Sequence, residues 1–225
     1  MRPIALGGLL AVTAVAAQGQ TCLGLPSFGR APMHVSVGLT TGDDVTTVGG
    51  GLSWGTPAGL FGGVNLGLVD IDNVDESAFV IGGGIGYQMS AASTRRTDNV
   101  RELQFCPVAT LQYQMGPEFE FFDETIDLSA LSLSGGVALG VPVEASATFQ
   151  LIPTGTIALA YTKVTADLGT FGSGSDTETY GVITLGVGFL MNGTVSIKPY
   201  VDIPVGLEGA DARLGILVAF GIGRR

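Results

Sequence analysis

Proton transfer near neutral pH usually recruits a histidine, and this chain has one, His34. Ser36 follows two residues later, so on an extended strand the two side chains point the same way. No carboxylate lies close in sequence to orient the ring, and a nucleophile, base and acid are not gathered locally. No catalytic residue is therefore assigned. The neighbouring acids Glu118 with Glu120, and Asp123 with Glu124, are of the type that can push one another's proton affinities apart. In a polar, acid-rich stretch they read as solvated. The segment "DIDNVDE" offers Asp70, Asp72, Asn73, Asp75 and Glu76 as hard oxygen ligands for a weak Ca²⁺ or Mg²⁺ site. It lacks the glycine and downstream glutamate of an EF-hand loop, and no other cofactor is expected. The runs "GGGIG" and "GSGSD" are followed by neither the Lys-Ser/Thr of a phosphate cradle nor a helical pattern. With a formal net charge of -10 and no basic patch, nucleic acid is excluded as a partner.

The elements that carry these residues are legible from periodicity. In "SAFVIGGGIGYQM", Phe79, Ile81, Ile85, Tyr87 and Met89 alternate with Gly82, Gly84 and Gly86. In the stretch 195–203, Val195, Ile197, Pro199, Val201 and Ile203 oppose Ser196, Lys198, Tyr200 and Asp202; Leu214, Ile216, Val218, Phe220 and Ile222 oppose Arg213, Gly215, Ala219 and Gly221. A water-soluble strand sends its polar face to solvent and its apolar face to a core. About ten such apolar faces exceed what one small core can use, so the grease is read as facing lipid and the small and polar residues as facing a lumen. The composition agrees: 46% hydrophobic, 36 glycines and 13% charged residues describe an ordered, glycine-rich all-β chain. The expected fold is a closed antiparallel up-and-down transmembrane β-barrel of about ten strands, with eight and twelve as the neighbouring even counts. The segments are 32–41, 44–54, 58–69, 77–89, 102–115, 127–141, 146–165, 178–191, 194–205 and 213–223, and Asn192-Gly193 is read as a two-residue hairpin.

The opening residues 1–20 have Arg2, an apolar run to about Ala17 and small residues before Gln18, as a cleaved secretory signal does, with cleavage within about 16–20. Residues 21–225 are then one barrel domain. With the mature N-terminus periplasmic, the outer loops fall at 42–44, 70–76, 116–127, 166–178 and 206–212 and hold most of the acid, from Asp43 to Asp211. Arg30, Arg95, Arg96, Arg101, Arg224 and Arg225 fall at the opposite end. Cys22 and Cys106 also lie toward that end, and a disulfide between them is expected in an oxidising compartment, tying the mature N-terminus to the barrel. Trp54, Tyr87, Tyr113, Tyr161, Tyr180 and Phe189 are placed near strand ends as interfacial girdles. Pro107, Pro153, Pro199 and Pro204 are read as bulges or local openings in the wall.

The signal, the alternating segments and the terminal "LGILVAFGIGRR" resemble the outer-membrane β-barrel superfamily of Gram-negative bacteria, in which the last strand alternates apolar residues and ends on an aromatic. Phe220 matches approximately, and Arg224-Arg225 departs from that ending. The resemblance implies a bacterial outer-membrane location, with outer-membrane lipid and the barrel-assembly machinery as partners. A small passive pore for small solutes is the leading functional expectation. Gly82, Gly84, Gly86, Gly186, Gly188, Gly221 and Ala219 are taken to leave the lumen open, and Lys198, Asp202, Tyr200 and Gln112 are candidates for a polar constriction. The alternative is a structural or surface-interaction barrel with acidic, divalent-cation-binding outer loops. A lipid-modifying or proteolytic enzyme ranks last.

Overall fold

The computed structural model describes residues 21–223 except 43, 73–75, 91–102, 122–123, 168, 170–171 and 208. The signal segment, Asn73, Asp75 and nearly all of the connection "SAASTRRTDNVR" lie outside the described residues. The strands are β1 (Met33–Gly42), β2 (Val45–Gly55), β3 (Leu60–Ile71), β4 (Ala78–Tyr87), β5 (Met89–Ser90), β6 (Gln104–Phe121), β7 (Glu124–Gly140), β8 (Val143–Ser146), β9 (Phe149–Asp167), β10 (Ser173–Met191), β11 (Val195–Val205) and β12 (Arg213–Ile222). Ten of them close a ring in the order β1-β2-β3-β4-β6-β7-β9-β10-β11-β12 and back to β1, each pair antiparallel. The short strands β5 and β8 lengthen the edges of β6 and β9. Cross-strand partners climb steadily: His34 pairs Ser53, Ser53 pairs Gly63, Gly63 pairs Gly84, Gly84 pairs Thr110, and the line reaches Tyr180 through Ser134 and Ala160. That stagger is what closing a sheet with tilted strands requires.

The polarity is the expected one. Along β1 the odd residues Met33, Val35, Val37 and Leu39 are exposed while His34, Ser36, Gly38 and Thr40 are buried. The outward faces of other strands carry Ile85 at 66% exposure, Ile157 at 68% and Leu214 at 64%, which water would oppose and hydrocarbon would not. Trp54 and Tyr87 stand outward at the end where β1 begins, and Tyr113 and Tyr161 outward toward the other end, as two girdles would. Tyr180 departs from that expectation, since it is 4% exposed and faces the lumen. Its even-numbered position places it among the inward residues of β10. Phe189 is half-buried, against Phe149.

Three further expectations are corrected. The stretches 116–127 and 166–178 are largely strand: β6, β7, β9 and β10 run 18, 17, 19 and 19 residues, well past the roughly 9–11 of a membrane span. The segment 146–165 is broken after Ser146 and resumes at Phe149, because β8 folds back on the start of β9. The turn after β10 holds three residues, with Asn192 and Gly193 both at positive φ (51° and 69°), and the amide of Thr194 donates to the carbonyl of Met191. Pro107 and Pro153 keep register on one side, with β7 and β10, and match the expected opening on the other: pairing to β6 lapses between Gly86↔Val108 and Met89↔Phe105, and pairing to β9 between Gly140↔Thr154 and Val143↔Leu151. Pro199 matches the expected opening: β10–β11 pairing lapses between Gly186↔Tyr200 and Phe189↔Ile197.

Candidate functional site

The lumen at the end where β1 begins is crossed by the chain that precedes β1. A single 3-10 turn, Thr21–Leu23, places Cys22 against Gly140 of β7 and bonds it to Cys106 of β6, as expected for the two cysteines. Gly24, at φ 76°, turns the backbone against Gly188 of β10, and its carbonyl accepts a hydrogen bond of 2.6 Å from Ser196 Oγ of β11. The segment then reaches the opposite wall. The ring of Phe28 lies over Gly55 of β2 and stacks on His34 at 4.3 Å, with Phe61 of β3 beside it. Ala31 closes on Gly221 of β12. Cys22, Leu23, Leu25, Phe28 and Ala31 are all buried.

These contacts overturn part of the reading of lumenal glycine as open space. Gly188 is filled by the backbone of Gly24, Gly221 by Ala31, and Gly86 by the ring of Phe61. Gly82 lies under Gln112 Cγ, and Gly186 under Lys198 Cε and Tyr200 Cβ. The physical reason is the narrowness of a ten-strand cylinder: a ring pointing inward meets the neighbouring strands, so the residues beneath it must lack a Cβ.

Just beyond the crossing segment, β11 directs Lys198, Tyr200 and Asp202 inward. Lys198 Nζ lies 5.7 Å from the Tyr200 ring centroid, and the Tyr200 hydroxyl shares a 2.6 Å hydrogen bond with Thr40 of β1 across Gly215. Thr184 of β10 donates to Asp202, and the charges of Lys198 and Arg213 both act on that carboxylate. Lys198 and Asp202 are each 7% exposed. Three of the four constriction candidates are thus brought together. Gln112, also buried, sits on β6, separated from β11 by β7, β9 and β10.

His34 is 1% exposed, and neither ring nitrogen has a hydrogen-bond partner, although the backbone of Ala31 is near. Phe28 covers its face, and Ser36 on the same face has no partner for its hydroxyl. Of the acidic candidates, Asp70, Asp72 and Glu76 are exposed, and the amide of Asp72 donates to the carbonyl of Asp44 at 2.6 Å. Among the described residues no group of three His, Cys, Asp or Glu side chains is placed to hold a metal ion. The residues missed at the sequence level are Leu25, Phe28, Thr40, Thr184 and Ser196. An apolar, non-alternating run beginning at a cysteine just ahead of the first strand was the available signal for the first two.

No family model and no curated protein matches the chain. Among solved structures, the crystal structure of the N-terminal β-barrel domain of Pseudomonas aeruginosa OprF is similar, at 16% identity over 85% of this chain and 98% of that one, with a TM-score of 0.35. The barrel assignment rests on the strand pairings described above.

Proposed function

We propose that this chain is an integral outer-membrane barrel, stoppered at its periplasmic end by residues 21–31, whose working surface is the acidic rim at the other end. The observation that carries the reading is the seating of Cys22–Ala31 across the lumen, fastened to β6, β10, β11 and β2. A solute entering from the far rim meets that segment before it can leave. The outward apolar band with aromatic residues at both margins supports the membrane location.

The passive pore becomes the second reading, and the inward cluster of Lys198, Tyr200 and Asp202 favours it. Those side chains would line the passage in any state in which residues 21–31 have left the lumen.

The membrane reading is tested by the sole tryptophan, Trp54, which is 48% exposed on the outward face. In the chain folded into vesicles of phosphatidylcholine brominated on its acyl chains, Trp54 emission is expected to fall strongly compared with unbrominated vesicles. Equal emission in the two would place Trp54 away from lipid and remove the support for membrane insertion.

A further inference from the structure

The four long strands rise beyond the band that lipid would cover and form a sheet of their own on one side of the mouth. Its last strand has an open edge. From Ser173 to Tyr180, β10 pairs with β9 in continuous register, Ser173↔Asp167 to Tyr180↔Ala160. On the other side, pairing with β11 begins only at Gly181↔Val205. The chain leaves the line of β11 at Gly206, which has φ 83°, and carries Leu207 inward to pack on Ala130 and Val164. Among the described residues nothing is hydrogen-bonded to the backbone edge above Gly181 except one local contact: the amide of Thr177 donates to Asp176 Oδ1 at 2.8 Å. That contact also fixes the geometry, since the amide of Thr177 points away from β9. By the alternation of an antiparallel ladder, Ser173, Ser175 and Thr179 present their amides the same way.

We propose that this edge receives a strand from a partner polypeptide that carries a basic residue at every second position. An added strand satisfies the free amides and carbonyls, as in other cases of strand addition to a sheet edge. The charges select its chemistry. Asp176 and Glu178 lie on one face of the edge strand, across from Val164 and Thr162 of β9. Opposite charges across neighbouring strands stabilise a sheet, so a lysine or arginine on the added strand opposite each of these two carboxylates is favoured. The same charges turn away a second copy of this chain, whose edge would bring Asp176 and Glu178 against themselves. A basic side chain that draws Asp176 off the amide of Thr177 also frees that donor. This inference rests on the reading of the acidic rim as the working surface.

The test is amide exchange on the full chain folded in phosphatidylcholine vesicles, with a synthetic peptide of alternating lysine and threonine as long as the edge. Exchange at Ser173, Ser175, Thr177 and Thr179 is expected to slow by on the order of tenfold or more. The corresponding glutamate–threonine peptide should leave it unchanged. Thr177→Pro removes an outward amide without touching the β9 ladder, and it should abolish the protection while the barrel stays folded. Protection by both peptides alike, or by neither, overturns the proposal. So does protection that appears without peptide as protein concentration rises, because the edge would then serve a second copy. Failure of the membrane reading is distinguishable: Trp54 would escape quenching while the protection at the edge persisted.

Discussion

At Gly188 any side chain would occupy the space held by the backbone of Gly24, and at Gly55 it would collide with the ring of Phe28. The inward glycines Gly55, Gly188 and Gly221 are sockets, each shaped by a group from the segment that precedes β1. Gly188→Leu is therefore expected to unseat residues 21–31 while the outer wall survives, because outward residues of β10 such as Leu185 keep their places. Limited proteolysis checks this: new cleavage at Arg30 is expected in the variant and none in the parent. Phe28→Ala removes a fully buried ring and should cost about 3 kcal/mol or more, read as a lowered urea midpoint for folding into vesicles. Sequence alone exposed which residues face inward, through the period-two pattern around Ile81 and Ile197. It could not expose what covers Gly86 or Gly188, since Phe61 is brought there by the register of β3 on β4 and Gly24 by the return of residues 21–31 into the lumen. Vacancy and close contact look the same when written as glycine.

Among the elements, the strands that lie inside the proposed membrane band were legible because lipid enforces alternation. The upper ends of β6 and β10 were not. Above the band neither face meets hydrocarbon, so a strand such as Ser173–Thr179 is exposed on both faces and reads as an acidic loop. An epitope inserted at Gly172, whose surroundings are open, should leave folding intact and bind antibody on whole bacteria. Antibody binding only after the cells are broken would reverse the assigned orientation. The segment 21–31 was invisible as an element because it has no period. Only Cys22 hinted that it is tied to the barrel. Its bond to Cys106 spans 84 residues of sequence, so the double variant Cys22→Ser/Cys106→Ser should lose about 2–4 kcal/mol in the same urea titration. An unchanged midpoint would mean that the bond adds nothing to the seating of the segment.

For the whole molecule, the proposed reading gives the two faces of one closed sheet separate tasks. The outward face matches lipid, and the inward face is divided between a stopper at one end and the charged group around Lys198 and Asp202 above it. The rim at the far end gathers acid on a projecting sheet. Fold class and the inside-out polarity could be read from alternation because they are properties of each strand by itself. The stopper and the projecting sheet depend on how strands assemble, and they needed the structure. The measurement that bears most directly on this account is planar-bilayer conductance of the folded, disulfide-bonded full chain beside a Cys22→Ser/Phe28→Ala variant shown to be equally folded by heat-modifiable gel migration. The parent is expected to be silent and the variant to give discrete current steps. Discrete steps of the same size from the disulfide-bonded parent would contradict a stoppered lumen.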